Sequence, residues 1–101
     1  MKSIATSPEL GKKLLEAGVD WHTSDMRWAR YKYVVWSEWM LHIGGNRYHN
    51  DEHCEIVPAW SISALWEIVN GMHRQPLELS TDMGADEVIL ALTIFIVRNN
   101  G

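Results

Sequence analysis

Between Pro58 and Gly71 the apolar positions fall at steps that a helix brings onto one side. Ile62, Leu65, Trp66 and Val69 stand at i, i+3, i+4 and i+7, whereas Ser63, Glu67 and Asn70 fall elsewhere. Pro58 keeps a helix from arriving from upstream, and Ser61 offers a hydroxyl to the free amides of a first turn. The helix is therefore predicted to start at 61 or 62. Trp60, just before the cap, is placed to pack back on that turn, and with Trp66 it reads as core. Asn70 and Gly71 are the residue types that close a helix in the left-handed conformation.

The same pattern predicts three further helices. Ser7-Pro8-Glu9 reads as cap, first helical position and first-turn acid, followed by a face of Leu10, Leu14 and Ala17 that Gly18 closes. Residues 1–6 have no periodicity and read as a loose terminus. From Thr23 or Ser24, with Asp25 in the first turn, a long helix is predicted to about Leu41 or His42, where Gly44-Gly45 breaks it. Met26, Ala29, Tyr33, Trp36 and Met40 form one apolar stripe, and Trp28, Val35 and Trp39 form a second, rotated by about 100° or more. A helix apolar over that much of its circumference is either central to the domain or covers its second face with a partner. Tryptophan and tyrosine are favoured interface anchors, which makes Trp28, Val35 and Trp39 the interaction candidates.

Residues 44–57 read as a polar loop ending in a short strand at Glu55 to Val57, and Leu77-Glu78-Leu79 alternates as an edge strand would. After the capping residues Ser80, Thr81 and Asp82 comes the last apolar run. Val88, Ala91, Leu92 and Phe95 share a face, yet Ile89, Leu90, Ile94, Ile96 and Val97 make the run apolar nearly all round. With its acidic lead-in Asp86 and Glu87 it exceeds usual strand length, so it is predicted to be a helix, either deeply buried or a dimer seam. The expected fold is mainly α, about four helices around one core with room for a short β-hairpin; an α+β arrangement is the alternative.

The run Pro58-Ala59-Trp60-Ser61-Ile62-Ser63-Ala64-Leu65, with Thr23-Ser24-Asp25-Met26 upstream and a helix led by Gly84-Ala85-Asp86-Glu87 downstream, resembles small uncharacterised proteins encoded in phage and prophage regions of gut bacteria. The resemblance extends in element order over most of the chain. It implies a phage or prophage setting and brings no established activity, so it assigns no catalytic residue. Those proteins often carry a longer strand-rich segment before the last helix, where this chain has only Pro76 to Ser80.

Composition narrows the classes. At 101 residues, with 47% hydrophobic and 22% charged residues, the chain is expected to fold as one domain spanning 1–101. A net charge of -4 argues against nucleic acid, since phosphate binding needs a clustered basic face. Arg27, Arg30 and Lys32 are the group that reading would use. One cysteine makes no internal disulfide, the start lacks a secretory apolar segment, and Val88 to Val97 is too short to span a bilayer. A cytoplasmic setting without membrane contact is expected.

The candidate chemistry is confined to the loop with His49, Asp51, Glu52, His53 and Cys54. These are zinc-ligand types, but the paired spacings of structural zinc modules are missing, so metal binding by His49, His53 and Cys54 stands as a rival reading. Cys54 with His53 or His49 as base would make a thiolate nucleophile only if the fold brought the two groups together, which adjacency in sequence does not by itself deliver. No phosphate loop, nucleophile elbow or His-Glu-x-x-His pair is present. The leading expectation is a small non-enzymatic protein that uses no cofactor and binds another protein, with a homodimer as one form of that binding.

Overall fold

In the computed structural model, which describes residues 4–44, 48–72, 79 and 82–99, the chain runs through α1 (Pro8–Glu16), β1 (Met26–Tyr31), β2 (Met40–Ile43), β3 (His49–Asn50), β4 (Cys54–Ala59), α2 (Ile62–Gly71) and α3 (Ala85–Asn99). A 3-10 turn at Trp21–Thr23 links α1 to β1. The four strands make one antiparallel sheet in the order β2-β1-β4-β3. The fold is α+β and not mainly helical: the long helix expected from Thr23 to His42 is a pair of strands with a loop between them.

The reason lies in the side chains. Aromatic and β-branched residues crowd 28–43, and their shapes pack better on a pleated surface than along a helix. The caps expected for that helix do other work. Thr23 and Ser24 donate their hydroxyls to the carbonyls of Asp20 and Trp21 in the 3-10 turn. Asp25 reaches Ser61, accepting both its N–H and its hydroxyl.

The helix starts follow their sequence signals. Ser7 accepts from Leu10 N–H at the head of α1, and Ser61 accepts from Ala64 N–H at the head of α2. Gly18 follows α1 with φ of 88°, the left-handed conformation that favours glycine. α2 ends differently from expectation, running through Gly71 to a right-handed cap at Met72. Ala5 bridges Ser61, and the buried Thr6 donates its N–H to the Trp60 carbonyl, so these two residues of the expected loose terminus are bound into the fold. The Leu77 to Leu79 strand and the Ser80 and Thr81 caps fall outside the described residues, apart from Leu79.

Alternation along β1 and β4 sorts the sheet into two faces. Trp28 and Arg30 lie beside Val57 and Glu55 on the α1 side, while Arg27, Ala29 and Tyr31 lie beside Pro58, Ile56 and Cys54 on the other. Lys32 N–H bonds the His53 carbonyl, and the ladder alternation from that pair turns the backbone groups of Pro58 away from β1. A residue with no N–H is tolerated there because β3 pairs only as far as Ile56. α1 covers this spot. A Cβ on Gly11 would stand 2.5 Å from the Pro58 carbonyl oxygen, so the helix approaches β4 at a distance only glycine permits.

The main core lies among the helices. Leu14, Trp60, Leu65, Ile89, Leu92 and Ile96 are sealed in it, with Ile62 and Trp66 packed against its margin. Trp60 is fully buried, and its indole N–H donates to the Thr23 hydroxyl at 2.9 Å. α3 is a helix as expected, but its buried side is Ile89, Leu92, Thr93 and Ile96, and only Leu92 belongs to the face read from the sequence. Among the described residues no helix is long and apolar enough to cross a membrane.

Candidate functional site

The loop between β1 and β2 is the part of the surface that departs most from what burial would favour. Tyr33 and Val34 are 88% exposed and Val35 is 74% exposed. Three consecutive apolar side chains in water are costly unless something covers them or their display has a use.

Their base is firmly tied. Lys32 bridges Trp36, closing the tip, and donates its N–H to the His53 carbonyl at 2.9 Å. Ser37 binds Tyr31 in both directions: its N–H donates to the Tyr31 carbonyl at 2.7 Å, and its hydroxyl accepts the Tyr31 N–H at 3.0 Å. The Arg30 guanidinium sits over Trp36 at 4.7 Å and over Trp39 at 4.4 Å from the ring centroids. Planar guanidinium against indole is a favourable cation–π arrangement.

Arg30 is itself fixed by a buried carboxylate. Its Nε and Nη2 donate to Glu55 Oε1 at 2.8 and 2.7 Å across the β1–β4 pair. Lys12 of α1 reaches Glu55 Oε2 at 3.3 Å and lies over Trp39 at 5.6 Å. The loop after the tip is thus clamped onto the sheet and α1, while the three tip residues project beyond the clamp.

Of the three interaction candidates read from the sequence, Val35 stands at this tip. Trp39 is half-buried in the clamp, and Trp28 is half-buried on the sheet with its indole N–H donating to the Thr6 carbonyl at 2.7 Å. Tyr33 and Val34 were missed because a helical reading turned Tyr33 inward. The signal was present as Tyr33-Val34-Val35-Trp36, a run of strand formers set between Lys32 and Ser37. Nothing in sequence pointed to Arg30 and Glu55 as partners.

The histidine loop forms a tight turn. Asp51 accepts from His49 Nε2 at 2.6 Å, from His53 N–H at 2.7 Å and from Cys54 N–H at 2.8 Å. These bonds, that from His49 foremost, hold the Asp51 carboxyl at about 2. Cys54 is shifted the other way: burial and the Asp51 charge push its thiol up, which makes it a poor nucleophile. Among the described residues no three His, Cys, Asp or Glu side chains converge as metal ligands would.

A cleft of about 240 Å³ lies between α1 and the β3–β4 hairpin, lined in part by Lys12, Glu16, Tyr48, His49 and Glu55. Its buried charge, Glu55, is already paired with Lys12 and Arg30. The basic trio is divided between two places. Arg27 donates to the carbonyls of Ile43 and Gly44, whereas Arg30 is held in the clamp over Trp36 and the exposed Lys32 reaches the same ring at 5.9 Å.

Comparison with family models, with curated proteins and with solved structures gives no match.

Proposed function

We propose that the protein is a small non-enzymatic binding protein of the cytoplasm, of the phage or prophage type its Pro58-to-Leu65 motif resembles, and that it engages a protein partner through Tyr33, Val34 and Val35. The observation that carries this reading is an exposed apolar tip on a clamped base. A tip whose two ends are already anchored loses less freedom on binding than a free loop, so more of the contact energy survives as affinity. Covering each tip side chain contributes about 1.5–3 kcal/mol before those costs, so the tip anchors the contact and the surface around it must add to it for a micromolar complex, which needs about 8 kcal/mol net. The raised thiol of Cys54 and the Asp51-bound His49 support a role without covalent chemistry.

The test compares the wild-type chain with a Tyr33→Ser, Val34→Ser, Val35→Ser variant as baits in the native host. A protein recovered with the wild type and lost with the variant, whose circular dichroism is unchanged, is the expected result. Recovery of the same proteins by both baits would overturn the reading.

A further inference from the structure

A second surface points to a different kind of partner. α3 turns Asp86, Glu87, Leu90, Ile94 and Arg98 to solvent, opposite the side it buries. Leu90 and Ile94 are one turn apart in the middle of this row, 46% and 42% exposed. Two acids stand in the first turn and a base in the last. Among the described residues none of these three charges has an ion-pair partner within the chain.

Single exposed leucines are ordinary on a protein surface. What distinguishes this row is an exposed apolar pair flanked by charges, unpaired among the described residues, whose order is complementary to itself when reversed. We propose that α3 is the seam of a homodimer in which two copies pack this face antiparallel about a twofold axis passing near position 92. Leu90 then meets Ile94 of the second copy, and Asp86 meets Arg98 of the second copy, since both pairs are centred on that position. Glu87 flanks the same arginine. Each contact occurs twice, as an isologous interface requires.

The antiparallel sense is fixed by electrostatics. It sets the positive start of each helix beside the negative end of the other, and it gives every Arg98 two carboxylates. A parallel pair would set acids against acids. Ala91, half-buried at the flank of the row, leaves room for the two helix axes to approach. A second copy carries the mirror of this pattern necessarily, with Leu90 and Ile94 at matching heights. The proposal is independent of the hairpin tip, which lies on another element.

Fifteen residues give a seam of about 22 Å, so the dimer is of modest strength and half-dissociates at roughly 10–100 µM. Sedimentation equilibrium of the full chain from about 5 to 500 µM covers that range. The wild type is expected to move from monomer to dimer mass, and Ile94→Glu is expected to weaken association at least roughly tenfold with its urea midpoint retained.

Charge reversal gives the sharper arm. Arg98→Glu alone and Asp86→Lys/Glu87→Lys alone are each expected to be monomeric, while an equimolar mixture of the two forms a heterodimer. A wild type monomeric at the top of the range overturns the proposal. So does a dimer indifferent to Ile94→Glu, a mixture that stays monomeric, or a dimer lost on Val35→Glu.

Discussion

Asp25 closes the start of a helix that lies 36 residues further along the chain, its two carboxylate oxygens accepting the N–H and the hydroxyl of Ser61. The Ser61 oxygen in turn accepts the Ala64 N–H at 3.2 Å. Asp25 therefore orients the cap as well as taking up a free amide. Asp25→Ala is expected to cost about 1–2 kcal/mol, the range for a lost helix cap or a charge-assisted hydrogen bond. Urea unfolding would show it as a lower midpoint with an unchanged slope, and an unshifted midpoint would mean that water replaces the carboxylate without loss.

Gly11→Ala separates packing from propensity. In an isolated helix alanine is favoured over glycine by about 1 kcal/mol. In α1 the added methyl meets the Pro58 carbonyl oxygen at 2.5 Å and a Val57 methyl at 3.1 Å. The helix must lift from β4, so destabilisation of about 1–3 kcal/mol is expected in place of a gain. A stabilised variant would show that α1 does not rest on β4 at this distance.

Glu55 is the counter-charge for both Arg30 and Lys12, and its side chain is almost wholly buried. Glu55→Gln leaves the Arg30 guanidinium partly buried beside a neutral amide, at an expected cost of about 2–4 kcal/mol. Adding Arg30→Met should recover part of that loss, because the unpaired charge is then gone. The near-ultraviolet circular dichroism of Trp36 and Trp39 is expected to weaken in the single variant, as the guanidinium between them loses its anchor.

Acid should loosen the β3–β4 turn before the rest of the sheet. Folding lowers the Asp51 pKa from 3.8 to about 2, chiefly through the His49 hydrogen bond and then through the His53 and Cys54 amides. The unfolded chain thus binds the proton more readily, and the contribution of the turn is complete above about pH 4 and shrinks as the pH falls toward about 2. Amide exchange at His53 and Cys54 should accelerate over that interval. Asp51→Asn should make their exchange less pH-dependent than the wild type once the intrinsic acid dependence is removed.

The parts of this fold readable in sequence are those whose causes are local. Ser7 with Pro8, and Ser61 with the Ile62-to-Val69 spacing, carry their helices in neighbouring residues. The sheet was hidden because Met26, Ala29, Tyr33, Trp36 and Met40 satisfy a helical step by coincidence, while the pairing that decides the matter joins Arg30 to Glu55, 25 positions away. Leu90 and Ile94 were visible as surplus apolar surface. Which side of α3 they occupy was settled only by where α1 and α2 pack, so the face read as Val88 to Phe95 was rotated from the true one. The loop tip is illegible in sequence for the same reason, since on a helix Val35 would have Trp28 and Trp39 as neighbours and not Tyr33 and Val34.

Trp60 receives the Thr6 N–H on its carbonyl and gives its own N–H to the Thr6 hydroxyl, while Asp25 holds the next residue. The junction that launches α2 is thus assembled from three distant stretches of chain and cannot exist until all have arrived. Such a junction favours all-or-none folding, with the entropy of closing long loops spent before the reward is collected. Clipping the first six residues would accordingly unravel the middle of the molecule rather than trim its end.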